Sequence, residues 1–176
     1  MYLILHLFTS SHITRLGPPS RHSATLLYHT LHIYKYDTLI QIGGDTMEES
    51  FQQAATAMLA FMCGLNYNKN TETGIKVEIN MKAHDRETLL HDLMDEVLYM
   101  FSQCQVVVGY EEMRITCESS DTGESQEGGF VLKVIAMVIP YNRQQHVNGS
   151  EVKAVTWSNI RVGNTSPFDA YVVLDI

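Results

Sequence analysis

Asp37-Thr38-Leu39-Ile40-Gln41-Ile42-Gly43-Gly44-Asp45-Thr46-Met47-Glu48-Glu49-Ser50-Phe51 is the stretch whose reading decides the fold. Its first six residues read as a short strand, and Gly43-Gly44 reads as a turn. Asp45 or Thr46 then caps a helix, with Glu48 or Glu49 three residues on, the arrangement of a capping box. Met47, Phe51, Ala54, Met58 and Phe61 recur at three- and four-residue spacing and give that helix one apolar face, with Gly64 near its end.

Further along, Ile75 to Asn80 alternates apolar and polar residues, as a half-buried strand does. Asp85 begins a second helix, whose broad stripe contains Leu89, Leu90, Leu93, Met94, Val97, Leu98 and Phe101. Glu87, Asp92, Asp95 and Glu96 occupy the opposite face, which reads as solvated or as a dock for a basic surface. Strands are expected near 105–108, 112–118, 130–139, 151–162 and 170–175, with a loop over 119–129. Strands interrupted by two helices, the later ones joined by short turns, predict an α+β single domain. Its sheet is expected to be largely antiparallel.

The chain has 176 residues, enough for one domain with a core that needs no disulfides. Its formal net charge is -8, unevenly spread. Residues 1–36 contain no Asp or Glu, and only Arg15, Arg21 and Lys35 are fixed positive charges there. The remainder carries all 20 acids. So acidic a body is poorly suited to grip a phosphate backbone, so any work on RNA is expected to go through a partner. Cys63, Cys104 and Cys117 form no CxxC pair and read as buried free thiols. Met47, Met58, Met62, Met94 and Met100 read as core filler. No apolar stretch approaches bilayer-spanning length, and the expected location is cytoplasmic or nuclear.

Residues 1–36 differ from the rest in pattern. His6, His12, His22, His29 and His32 fall there among Ser, Thr and Arg, along with Pro18-Pro19. A poorly ordered extension, a mitochondrial targeting segment and sequence foreign to the working protein are three competing readings. The first is preferred, which sets the working domain at 37–176.

The chemistry points to the end of the chain. Ala170-Tyr171-Val172-Val173-Leu174-Asp175-Ile176 reads as a strand carried to the last residue. The Asp175 carboxylate and the Ile176 terminal carboxylate then lie one residue apart, and they repel unless a cation or cationic side chain sits between them. Gly149-Ser150-Glu151-Val152-Lys153-Ala154-Val155-Thr156-Trp157 is a second strand-like run that sets Lys153 among apolar neighbours. Together they suggest a small oxygen-ligand cation site.

Several segments, taken in order, resemble the archease family. They are Gly44-Asp45-Thr46-Met47-Glu48-Glu49-Ser50-Phe51, Leu89-Leu90 through Asp95-Glu96 with Leu98-Tyr99, Glu151-Val152-Lys153-Ala154-Val155-Thr156, and the terminal Leu174-Asp175-Ile176. The resemblance covers about residues 36–176. It implies a metal-binding accessory protein of an RtcB-type tRNA-splicing RNA ligase, which promotes ligase guanylylation and multiple turnover. It implies a divalent cation, commonly calcium, with magnesium or manganese as alternatives. Carried over by position, the metal ligands fall on Asp37, Asp175 and Ile176, and the activating lysine on Lys153. A histidine before the EVKA run falls on His146, which is counted with Lys153 toward activation of the partner. The family's usual His-Thr-Ala before the first ligand is replaced by Tyr34-Lys35-Tyr36, and its Gly-Glu pair is missing around 139–144.

Each of these residues also has an ordinary reading. Asp37 could cap a turn, Asp175 could form a surface ion pair, Lys153 could be a solvated lysine, and His146 could lie exposed in its polar loop. Three carboxylates suit hard cations such as calcium and magnesium, and they leave coordination positions open. The expectation is therefore an activator of a ligase rather than an enzyme. The alternatives are a small divalent-metal-dependent phosphoester hydrolase and a generic chaperone-like module.

Overall fold

In the computed structural model, Thr46 caps helix α1 (Met47–Cys63), its hydroxyl accepting from the Glu49 N–H at 3.1 Å. Glu49 Oε2 in turn accepts from the Asp45 N–H at 2.8 Å, which closes the box one residue before the cap. Gly64 ends the helix at φ 60, where its N–H donates to Ala60 O at 2.9 Å. Asp85 caps α2 (Arg86–Ser102) by accepting from the Thr88 N–H at 2.6 Å. The structure describes residues 28–33, 37–64, 74–118, 129–142, 144, 146 and 149–176.

The strands are β1 (Tyr28–Ile33), β2 (Asp37–Gly44), β3 (Ile75–Ala83), β4 (Gln105–Cys117), β5 (Phe130–Pro140), β6 (Ala154–Val162) and β7 (Phe168–Asp175). They form two antiparallel sheets, ordered β1-β2-β7-β6 and β3-β5-β4. The α+β architecture is the expected one, with its antiparallel strands divided between two sheets. Both helices pack against strands of both sheets. Phe51, Met58 and Leu59 of α1 are buried there with Leu89, Leu90, Leu93, Met94 and Val97 of α2. Ile40, Ile42, Val172 and Leu174 enter the same core from the four-stranded sheet, and Leu132, Val134 and Ala136 from the other.

Several local expectations change. The two strands expected over 105–118 are one strand, β4, with register shifts between Val107 and Gly109 and between Tyr110 and Glu112. Each bulge interrupts the alternation that marks a strand in sequence. Gly43 and Gly44 end β2 rather than form the turn. A Cβ on Gly44 would lie 2.6 Å from the Ser50 N, so glycine is needed where the strand passes under α1. Cys63 is buried, but Cys104 and Cys117 are exposed, against the expectation of three buried thiols. The core role expected of Met58, Met62, Met94 and Met100 holds.

The edge strand β1 comes from inside the segment set apart at 1–36, pairing Ile33 with Thr38 and Tyr28 with Gly43. The expectations for residues 1–27 and 34–36, and for the loop through 119–128, fall outside the described residues. Among the described residues, no helix is long and apolar enough to cross a membrane.

Candidate functional site

Three strand ends meet at one corner of the four-stranded sheet. β2 begins at Asp37, β7 ends at Asp175, and β6 begins beside Asp175 on the far side of β7 from β2. Asp37 is the register partner of Asp175 on one side, and Ala154 is its partner on the other. Residues directly opposite on neighbouring strands project to the same face, with Cβ atoms about 4.5–5.5 Å apart. That face is the outer one. Thr38, Ile40 and Ile42 point inward on β2, as do Ala170, Val172 and Leu174 on β7, so Asp37 and Asp175 stand on the opposite side.

Lys153 completes the corner. Its backbone N–H donates to Asp175 O at 2.8 Å, and its Nζ donates to the Ile176 oxygen at 2.9 Å. The sequence-predicted Asp37, Asp175, Ile176 and Lys153 are therefore brought together. Lys153 is exposed, yet it is tied to the end of β7 rather than loose in solvent.

The donor set is all oxygen and suits a hard cation better than zinc, which favours sulfur and nitrogen. Among the described residues no group of three His, Cys, Asp or Glu side chains converges. A cation at this corner would therefore rest on two carboxylates and the Ile176 oxygens. Water or a partner's group would have to fill the remaining positions, because calcium takes six to eight ligands. The residues fit an open hard-cation site of that kind.

His146 is set differently. It is 6% exposed, so the ordinary reading of a solvated loop histidine fails. Its ring stacks on Tyr141, with centroids 5.2 Å apart and planes 15° from parallel. Nδ1 accepts from the Asn142 N–H at 2.9 Å, and the His146 N–H donates to Asn142 O at 2.8 Å. With Nδ1 as acceptor, the neutral ring carries its proton on Nε2. That atom is buried and has no hydrogen-bond partner among the described residues.

Past this loop, the Gly149 and Ser150 N–H groups donate to Met62 O and Phe61 O at 3.0 and 3.1 Å, using carbonyls at the end of α1. A Cβ on Gly149 would lie 2.1 Å from Phe61 O. His146 thus belongs to the anchored lead-in to Lys153, while its own contacts are with Tyr141 and Asn142.

On α2, Glu87 is not simply solvated: Oε1 accepts from the Val162 N–H at 3.1 Å. Sequence reasoning missed the pairing of His91 with Trp157, stacked at 3.9 Å and 13°, in which His91 Nε2 donates to Val155 O at 3.2 Å. It also missed a cleft of about 440 Å³ that runs from Asp37 across the outer face to Arg161 and Tyr171. Period-two alternation places Leu39, Tyr171 and Val173 on that face. No local signal announces the irregularity in β6 that walls it.

A family model described as the Archease protein family (MTH1598/TM1083) matches residues 29–176. Protein archease of Methanosarcina acetivorans is 31% identical over 143 residues, which cover 76% of this chain and 85% of that one. Protein archease of Ictalurus punctatus is 29% identical over 147 residues, covering 80% of each. The solution structure of Methanobacterium thermoautotrophicum Protein 1598 has the same fold, with a TM-score of 0.61 at 23% identity, covering 84% of this chain and 98% of that one.

Proposed function

Because the chain belongs to the archease family, we propose that it activates an RtcB-type RNA ligase in tRNA splicing, promoting guanylylation and multiple turnover of that enzyme. The observation that carries this reading is the meeting of Asp37, Asp175, Ile176 and Lys153 at one corner. Asp37, Asp175 and the Ile176 carboxylate are the proposed ligands of a divalent cation, calcium first, with magnesium or manganese as alternatives. When bound, the ion would supply a hard positive charge toward phosphate or carboxylate oxygens of the ligase site.

Lys153 contributes a mobile ammonium that can leave Ile176 for a partner's anionic group at little cost, since an exposed pair contributes about 0–1 kcal/mol. His146 steadies the loop that delivers it. The ligase contributes the nucleophile, and RNA is contacted through the ligase, in keeping with the acidic body of this chain. The proposed place of action is cytoplasmic or nuclear.

The test is RNA ligation by a limiting amount of purified ligase, with and without this protein. The protein is expected to turn a single turnover into many, and the Asp175→Ala and Lys153→Ala variants are expected to fail. Ligation indifferent to the added wild type would refute the activator role. Phosphoester hydrolysis by the protein alone would favour the hydrolase reading instead.

A further inference from the structure

The outer face of the four-stranded sheet carries a cleft whose two ends differ in charge. One end is Asp37. At the other lie Arg161 and Tyr171, which are register partners. Tyr171 lies four residues before Asp175, the partner of Asp37, so the ends are about 13 Å apart at strand rise. Leu39 and Val173, themselves paired, form an apolar floor between them.

The wall is built by β6. Four residues, Trp157 to Ile160, stand against the single Val172, because Thr156 pairs with Val173 and Arg161 pairs with Tyr171. Asn159 takes φ 56 within this bulge, and Ser158 and Asn159 line the cleft. Two polar groups at the Arg161 end keep unused capacity. Arg161 is exposed and makes no ion pair among the described residues. Tyr171 Oη accepts from Gln41 Nε2 at 2.9 Å, which fixes the phenol and leaves its O–H free to donate.

We propose that this cleft binds a nucleoside monophosphate. The phosphate meets the Arg161 guanidinium and the Tyr171 hydroxyl, the planar base lies over Leu39 and Val173, and an amino edge of the base donates to Asp37. A guanidinium and a hydroxyl at one end suit a phosphate. A carboxylate about 13 Å away, across an apolar floor, suits a ring bearing N–H donors. A simple anion would use only one end, and an apolar ligand would leave both ends idle. The assignment stands apart from the activator role, needing neither the ligase nor a cation.

The test titrates the full chain, in EDTA and without ligase, with adenosine 5′-monophosphate, adenosine or inorganic phosphate. Calorimetry reads the binding, since the Trp157 indole stacks on His91 of α2 and does not line the cleft. The monophosphate is expected to bind at least about tenfold more tightly than either half-ligand. Arg161→Met should bring the monophosphate most of the way to the affinity of adenosine, with the Tyr171 hydroxyl left to hold the phosphate, and leave adenosine unchanged, whereas Asp37→Asn should weaken both. Absence of saturable binding up to about 5 mM would overturn the proposal. So would equal affinity for monophosphate and adenosine, or an Arg161→Met protein that binds like wild type.

Discussion

Asp37 and Asp175 stand directly opposite one another on β2 and β7, two carboxylates in one cross-strand pair. Like charges at such positions oppose pairing. Replacing Asp175 by Asn should therefore raise stability in EDTA by about 0.5 kcal/mol, within the range of cross-strand pairs. Calcium should reverse the order. At one hundred times its Kd an ion bound only by the native state stabilises by about 2.7 kcal/mol, and the variant should lose most of that gain. Thermal unfolding in EDTA and with calcium, magnesium or manganese reads both effects; a wild type indifferent to all three ions would remove the cation from the proposal.

The Lys153 contact to Ile176 separates stability from activation. Lys153→Met keeps the backbone bond from residue 153 to Asp175 O and loses only the exposed Nζ bond. Urea unfolding should change by less than about 1 kcal/mol, while stimulation of the ligase disappears. A variant that is severely destabilised would recast Lys153 as a structural residue.

His146 should behave as a buried anchor. His146→Ala removes the stack on Tyr141 and the acceptor for the Asn142 N–H, and should cost about 2–4 kcal/mol in urea unfolding. His146→Phe keeps a ring against Tyr141 and should recover part of that loss. The remainder, about 1–3 kcal/mol, is the cost of the unpaired amide.

Asp85 gives a pH signature. Partial burial opposes its ionisation, but the Thr88 backbone and side-chain hydrogen bonds and the neighbouring His84 outweigh it and hold the carboxyl below its ordinary value. A folded-state pKa below the unfolded one gives stability that is present above the unfolded value, about 3.9, and lost as pH falls through the folded value. Asp85→Ala should cost about 1 kcal/mol at pH 7. That difference should shrink on acidification below about pH 4, which unfolding curves across pH 2–7 can check.

The helices were legible because their evidence is local. Thr46 with Glu49, Asp85, Gly64 and the two apolar stripes each lie within a few residues of what they determine. Strand existence was legible as well, but the division into two sheets was not, since period-two alternation states which face is buried and not which strands pair. The meeting of Asp37 with Asp175 is non-local in this sense, and family resemblance supplied it where the residue pattern alone located only Asp175, Ile176 and Lys153. For His146 the polar run Asn142-Arg143-Gln144-Gln145 leaves a solvated surface histidine as open a reading as a working one. Its burial against Tyr141 depends on a loop anchored to the end of α1, a long-range contact.

The run of four β6 residues set against one β7 residue has a further consequence for how molecules meet in solution. β6 is an outermost strand of its sheet, and a flat outermost strand offers free amides and carbonyls to a neighbouring chain. Trp157 to Ile160 break that regular row at mid-strand, with Asn159 turned out of the extended conformation. A second molecule approaching along β6 finds only short runs of straight backbone on either side of the break, so the distortion that walls the cleft also guards the sheet against growing from one molecule into the next.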